Sequence, residues 1–192
     1  MVVQLFQKIE RAGEKKMEVG AVLFAAGFDF YNPSTGKNTY RYGELPNVVT
    51  SIEFERIISG TGTGQGKLVR PTDGKPIQKI AWLQCVGSRE PQADADFCST
   101  ICCMFAIKEA LLAREKSDGQ AETAIFYMDM RTFGKDFQRY KDEAEKVHGV
   151  RFVRNRVHTV ESSGQDGTLR LIYSDGEGKR HEEKFDLVVL AA

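Results

Sequence analysis

The run Ile80-Ala81-Trp82-Leu83-Gln84-Cys85-Val86 and the segment Ser99 to Lys116 that follows it decide the fold. The first is a short, largely apolar run suited to a strand. The second spaces Ile101, Phe105 and Leu112 among alanines so that one helical face is apolar. Working outward, residues 123–128 read as a second strand, 134–148 as a helix rich in Lys and Glu, and 150–154 as a third strand. Alternation of this kind is the signature of a parallel sheet with right-handed crossovers. Alternating runs at 156–161, 168–173 and 180–184 are separated by turns such as Ser174-Asp175-Gly176 and read as an antiparallel meander. The continuously apolar run Phe185 to Ala192 is again strand-like.

The sequence thus predicts an α/β fold: a Rossmann-like parallel sheet in which 80–86, 123–128, 150–154 and 186–191 are neighbouring strands, with a β-meander attached. Upstream, Val2 to Glu10, the turn Ala12-Gly13-Glu14-Lys15 and Val19 to Ala25 read as a hairpin whose second strand is apolar enough to be buried on both faces. Residues 31–48 read as a loop. Thr50-Ser51-Ile52-Glu53 has capping-box spacing and predicts a helix to about Ser59, which Gly60 to Gly66 ends as a flexible connection. Two segments follow, 1–75 as a flank and connector and 76–192 as the Rossmann-like domain. The chain stops on an apolar run, which reads as an internal piece of a longer protein.

The four cysteines, Cys85, Cys98, Cys102 and Cys103, lie within nineteen residues at the spacing C-x12-C-x3-C-C, and the chain has no others. A disulfide scaffold would spread its cysteines to tie distant segments together. Clustering points instead to one metal or redox site in a reducing, cytoplasmic setting, and no secretory signal is evident in the first 15 to 30 residues. Cys85 falls near the carboxyl end of its strand, where open α/β sheets place ligands. The other three are expected at the start of the next helix, with Cys98 and Cys102 on one face, where the dipole and free amides favour thiolates. The polar loop Arg89 to Phe97 is long enough to fold over the site. Iron–sulfur ligation suits this spacing best, because a cubane offers separate irons to neighbouring cysteines. Zinc usually takes paired C-x2-4-C knuckles, and a Cys102–Cys103 disulfide would be strained. Cysteines merely filling the strand–helix contact would explain one or two of the four.

A dinucleotide site on this turn would need G-x-G-x-x-G. The turn reads Cys85-Val86-Gly87-Ser88-Arg89-Glu90, with one glycine, so thiols stand where a phosphate cradle would, and NADH and NADPH are not expected to bind. Asp129 reads as a solvated strand end, Arg89 as a surface ion-pair partner, and His148, His158 and His181 as surface groups. Acidic and basic residues balance at 27 each, which excludes a nucleic-acid or membrane-surface role argued from charge. No apolar run approaches the roughly 20 residues of a membrane span.

Gln84-Cys85-Val86-Gly87-Ser88-Arg89, Cys98-x3-Cys102-Cys103-Met104 and Tyr127-Met128-Asp129-Met130-Arg131-Thr132-Phe133-Gly134-Lys135 closely resemble the A subunit of heterodisulfide reductase and its homologues, including flavoproteins of quinone-interacting membrane-bound complexes. The resemblance runs from about Gly20 to the end. Ala25-Ala26-Gly27-Phe28-Asp29 is similar to that family's A-T-G-F-D segment, with Ala26 in place of Thr, and Leu190-Ala191-Ala192 to the start of a second such segment. The resemblance implies an FAD domain flanked by residues 1–75, with Ala25, Ala26 and Gly27 on the flavin side. It also implies an inserted domain of nicotinamide-domain topology that holds a [4Fe-4S] cluster through Cys85, Cys98, Cys102 and Cys103. Electrons would pass between flavin and the iron–sulfur centres of partner redox subunits, peripheral to a membrane in some complexes. The flavin fingerprint would lie upstream of Met1, so FAD is expected to be absent from this chain alone. The alternatives are a nicotinamide-binding module and an interaction domain without a metal.

Overall fold

A computed structural model describes residues 17–25, 27, 29–35, 37–90, 95–164 and 166–191. A five-stranded parallel sheet holds β1 (Val48–Thr50), β8 (Leu187–Leu190), β2 (Lys79–Leu83), β3 (Glu122–Tyr127) and β4 (Arg151–Arg154), in that order. The four strands expected as parallel neighbours are neighbours. Their apolar runs are continuous because both faces are covered. Ile80, Ala81 and Trp82 of β2 and all of β8 are fully buried.

The crossover helix α2 (Cys102–Lys116) covers one face. Its buried stripe, Ala106, Ile107, Ala110 and Ala113, is mostly alanine, which brings the helix close to Trp82, Ile125 and Val189 in one apolar cluster. The helices α1 (Ser51–Ile58) and α3 (Phe137–Lys146) flank it. The meander of β5 (Thr159–Ser162), β6 (Leu169–Ser174) and β7 (Arg180–Phe185) covers the opposite face as an antiparallel sheet. Val160, Leu171 and Phe185 pack there against Ala81, Leu83, Phe126 and Val188. Only Asp186 separates β7 from β8, and its carboxylate accepts from the Gln78 and Lys79 amides at 2.8 and 2.9 Å.

Several expectations need correction. Val19 to Ala25 forms no strand and is exposed, with Leu23 and Phe24 at 89% and 90%. An apolar run becomes a two-sided buried strand only with neighbours to pair it, and no described residue pairs with this one; Val2 to Glu10 lies outside the described residues. β1 lies at the end of the expected loop and pairs with β8, so residues 48–58 share the sheet and core of the downstream segment. The capping box forms as read: the Thr50 hydroxyl accepts from the Glu53 amide, and Glu53 accepts from the Thr50 amide at 2.7 Å.

The glycine run after α1 is a packed cap and not a flexible connection. The Gly62 and Gly66 amides donate to the Ser59 carbonyl and the Gly64 amide to Ile57. A Cβ on Gly62 would stand 1.5 Å from the Arg56 carbonyl oxygen, so only glycine fits. Finally, α2 begins at Cys102, three residues later than expected. Thr100 has a left-handed backbone (φ 64°), which interrupts the helix before it can start at Ser99.

Candidate metal centre at the carboxyl edge of the sheet

The chain leaves β2 through two anchored residues. The Gln84 amide donates to Phe126 O on β3, and the Val86 amide donates to Ala191 O just beyond β8. Between them Cys85 takes a left-handed backbone (φ 61°), which lets the turn kink while both sides stay pinned. Cys102 and Cys103 are the first two residues of α2, whose N-cap, Ile101, supplies no side-chain cap. An uncapped helix start favours negative charge on groups beside it.

Cys85, Cys102 and Cys103 are buried, free thiols that interact with one another. Cys102 is the hub. The Cys103 and Cys85 thiols beside it hold its thiol well below the usual range, against the effect of burial. The bonds to Cys102 and burial push Cys85 and Cys103 up in turn. Among the three, deprotonation is therefore favoured at Cys102. Cys102 and Cys103 also pack with Met130 and Ala191.

Cys98 stands apart from this trio. It is half-buried, lies before the helix and not on the face of Cys102, and its Sγ accepts from the Thr100 amide at 3.4 Å. The loop before it pairs with itself: the Glu90 amide donates to Ala95 O, and the Arg89 amide to Phe97 O at 2.8 Å. That pairing holds Cys98 at the base of the excursion that begins at Arg89. Among the described residues, no group of three or more Cys, His, Asp or Glu side chains is set to hold a metal ion as it stands. The donor chemistry nevertheless suits a thiolate-bound iron–sulfur group: three soft, buried, unoxidised sulfurs meet at a helix start, and a fourth lies on the adjoining loop.

Arg89 lies beside Cys85 and pairs with Asp129, which Arg131 also contacts at 3.3 Å. Burial would raise the Asp129 carboxyl, but the bonds from Arg89 and Arg131 bring it below the usual range. Arg89 is therefore an ion-pair partner, as read, and Asp129 is bound between two arginines instead of standing free. His181 departs from the surface reading too: it is half-buried, stacks on Tyr173 and bonds Asp175 at 2.6 Å.

Gly87 (φ 70°) has a role unrelated to phosphate. A Cβ there would fall 2.2 Å from the Tyr31 ring, so the glycine seats that ring over the thiol turn. Tyr31 divides two clefts, an apolar one lined by Phe30, Ile101, Cys102 and Phe105 and a polar one lined by Asn38, Tyr40, Cys85 and Arg156. Sequence reading missed Tyr31, as well as Met130 and the buried Gln84, which stands directly before Cys85. Ala25 and Gly27 are exposed, and Ala26 lies outside the described residues.

These features define a Rossmann-like domain in which cysteines occupy the turn that would otherwise cradle a dinucleotide. No protein-family model matches the chain. It is 43% identical over 175 residues to the second iron-sulfur A subunit of CoB–CoM heterodisulfide reductase from Methanopyrus kandleri, covering 91% of this chain and 26% of the relative. It is 38% identical over 178 residues to the A subunit of H2:CoB-CoM heterodisulfide,ferredoxin reductase from Methanothermobacter thermautotrophicus, covering 92% and 27%. To the A subunit of ferredoxin:CoB-CoM heterodisulfide reductase from Methanosarcina mazei it is 33% identical over 183 residues, covering 95% and 23%. A sulfide:quinone oxidoreductase structure from Aquifex aeolicus covers 58% of the chain and 24% of its own at 13% identity, with a TM-score of 0.35, which establishes no common fold. The chain is thus homologous to a segment of the heterodisulfide reductase A subunit, and it spans about a quarter of the length of these relatives. Among the described residues, no helix is long and apolar enough to cross a membrane.

Proposed function

We propose that this domain carries one [4Fe-4S] cluster on Cys85, Cys98, Cys102 and Cys103. In the complete oxidoreductase it would relay electrons between an FAD bound elsewhere and the iron–sulfur centres of partner redox subunits, in the cytoplasm or peripheral to a membrane complex. The observation that carries the reading is the meeting of three buried free thiols at the uncapped start of α2. The relatives' names, which include the words ferredoxin reductase and iron-sulfur, support the same chemistry. Within this proposal, 76–192 is the cluster domain and 1–75 leads to the FAD domain, with Ala25, Ala26 and Gly27 on the flavin side and β1 and α1 docked on the sheet.

When bound, such a cluster supplies a one-electron carrier whose potential depends on burial and on hydrogen bonds to sulfur. The chain's own residues would do the rest. The neighbouring thiols favour deprotonation of Cys102, while burial and the bonds to Cys102 oppose it at Cys85 and Cys103, so loading is expected to improve as pH rises. Arg89 places a positive charge beside Cys85 that offsets the anionic ligands. Cys98 must approach from its loop as the fourth ligand.

Anaerobic reconstitution with iron and sulfide tests the reading. About four irons and four sulfides per chain, a brown chromophore and a dithionite-induced paramagnetic signal are expected. A colourless protein without bound iron under those conditions would refute it. NADH and NADPH should give no saturable heat of binding, because Gly87 is committed to Tyr31 and no glycine-rich amide cradle is present among the described residues.

A further inference from the structure

The residue before Cys85 is a buried amide without a partner among the described residues. Along β2, Ile80 and Trp82 belong to the helix-side core, while Ala81 and Leu83 belong to the meander side. Gln84 continues the extended pairing through its amide bond to Phe126, so alternation gives it the next helix-side position. It is 8% exposed, yet neither Oε1 nor Nε2 has a hydrogen-bond partner among the described residues. Beyond Trp82 on that side, the core ends in the layer of Cys102, Cys103, Met130 and Ala191. An orphaned carboxamide therefore stands at the level of the thiols.

Buried polar groups are rarely left unpaired, and each costs about 1–3 kcal/mol when it is. A leucine or methionine would fill this position without that penalty. The side chain's asset is its NH2, which offers two donors to a soft anionic acceptor. We infer that Gln84 is a positioning residue whose amide N–H donates to a sulfur of the iron–sulfur group held by Cys85, Cys102 and Cys103, which raises its reduction potential. This rests on the reading given under Proposed function. The direction follows from charge: reduction adds an electron to sulfur-rich orbitals, so a donor stabilises the reduced form more than the oxidised form.

The test compares the full chain with Gln84→Met, which keeps side-chain length, and Gln84→Leu. Before loading, both variants should unfold at least as late in urea as the unsubstituted chain, because two orphaned atoms are gone. After anaerobic reconstitution, redox titration followed by paramagnetic resonance should show a more negative potential. The expected change is about tenfold in the relative affinity for the electron, which is ~59 mV for a one-electron couple. An unchanged potential in loaded Gln84→Met and Gln84→Leu would overturn this inference and leave the cluster reading intact. Marked loss of stability in both unloaded variants would also overturn it, since Gln84 would then be bonded within the protein. Failure of the unsubstituted chain to take up iron would remove both readings.

Discussion

The two edges of the parallel sheet are built on opposite terms. At the amino edge, Asn47, Arg70 and Asp186 are paired within the protein, and the Thr123 hydroxyl on β3 lacks a partner among the described residues. Asn47 is 1% exposed, accepts from the Thr72 amide and hydroxyl, and donates to Gly167 O. Asp186 takes the Gln78 and Lys79 amides, with Arg70 at 3.7 Å, and Arg70 also forks onto Asp73. At the carboxyl edge, three non-glycine residues, Cys85, Arg89 and Thr100, have left-handed backbones, while the Gln84 carboxamide lacks a partner among the described residues. Phe97, Ile101 and Phe133 are exposed there. The amino edge ties its charged and amide groups to protein partners. The other gathers left-handed backbone, an amide without a described partner and free thiols in one place.

The sharpest way to break this contrast is Asp186→Ala. It strips two strand-entry amides and the Arg70 guanidinium of an acceptor and should cost about 3 kcal/mol in urea unfolding. Iron uptake by the fraction that remains folded should be unchanged. If instead iron uptake fell while stability held, the assignment of the amino edge to structure alone would be wrong.

Glu109 sits between the two edges and sharpens the comparison. It is fully buried, accepts the Trp82 indole N–H at 2.8 Å, and burial raises its carboxyl to about 8 from 4.5. The folded state therefore holds a proton that the unfolded state has lost between those values. Its contribution to stability is complete below pH 4.5 and disappears as pH rises to about 8. Glu109→Gln keeps the bond from Trp82 and removes the ionisation. It should gain on the order of a few kcal/mol over the parent at pH 8 and show a flatter stability profile between the two carboxyl values. Parallel profiles for the two proteins would contradict the assignment.

A smaller effect separates the cysteines. In the unloaded protein, Cys102→Ala removes the acceptor of two buried thiols and should cost about 1–2 kcal/mol. Cys98→Ala, on a half-buried loop position, should stay within about 0.5 kcal/mol. Equal costs would mean that the trio is not a coupled unit.

The sheet was legible where apolar continuity and helical spacing agree, as in Ile80 to Leu83, the alanine stripe of α2 and Leu187 to Leu190. Thr50 and Glu53 announced α1 because a capping box is local chemistry. β1 was not legible, since three residues become a strand only through β8. Val19 to Ala25 misled for the converse reason, being apolar without a described partner. The cysteine gathering was legible from spacing, but the division between the trio and Cys98 was not. It follows from the left-handed backbone at Thr100, which nothing in Ser99-Thr100-Ile101 signals. Gln84 was quoted as part of a motif, and its orphaned amide could be seen only once burial and partners were known.

The most direct test of the central claim is iron content in a single-substitution series, Cys85→Ala, Cys98→Ala, Cys102→Ala and Cys103→Ala, after anaerobic reconstitution beside the parent chain. The account expects about four irons in the parent and a clear loss in every variant, including Cys98→Ala despite its small effect on the unloaded fold. Full iron retained when any one of the four is replaced would contradict it.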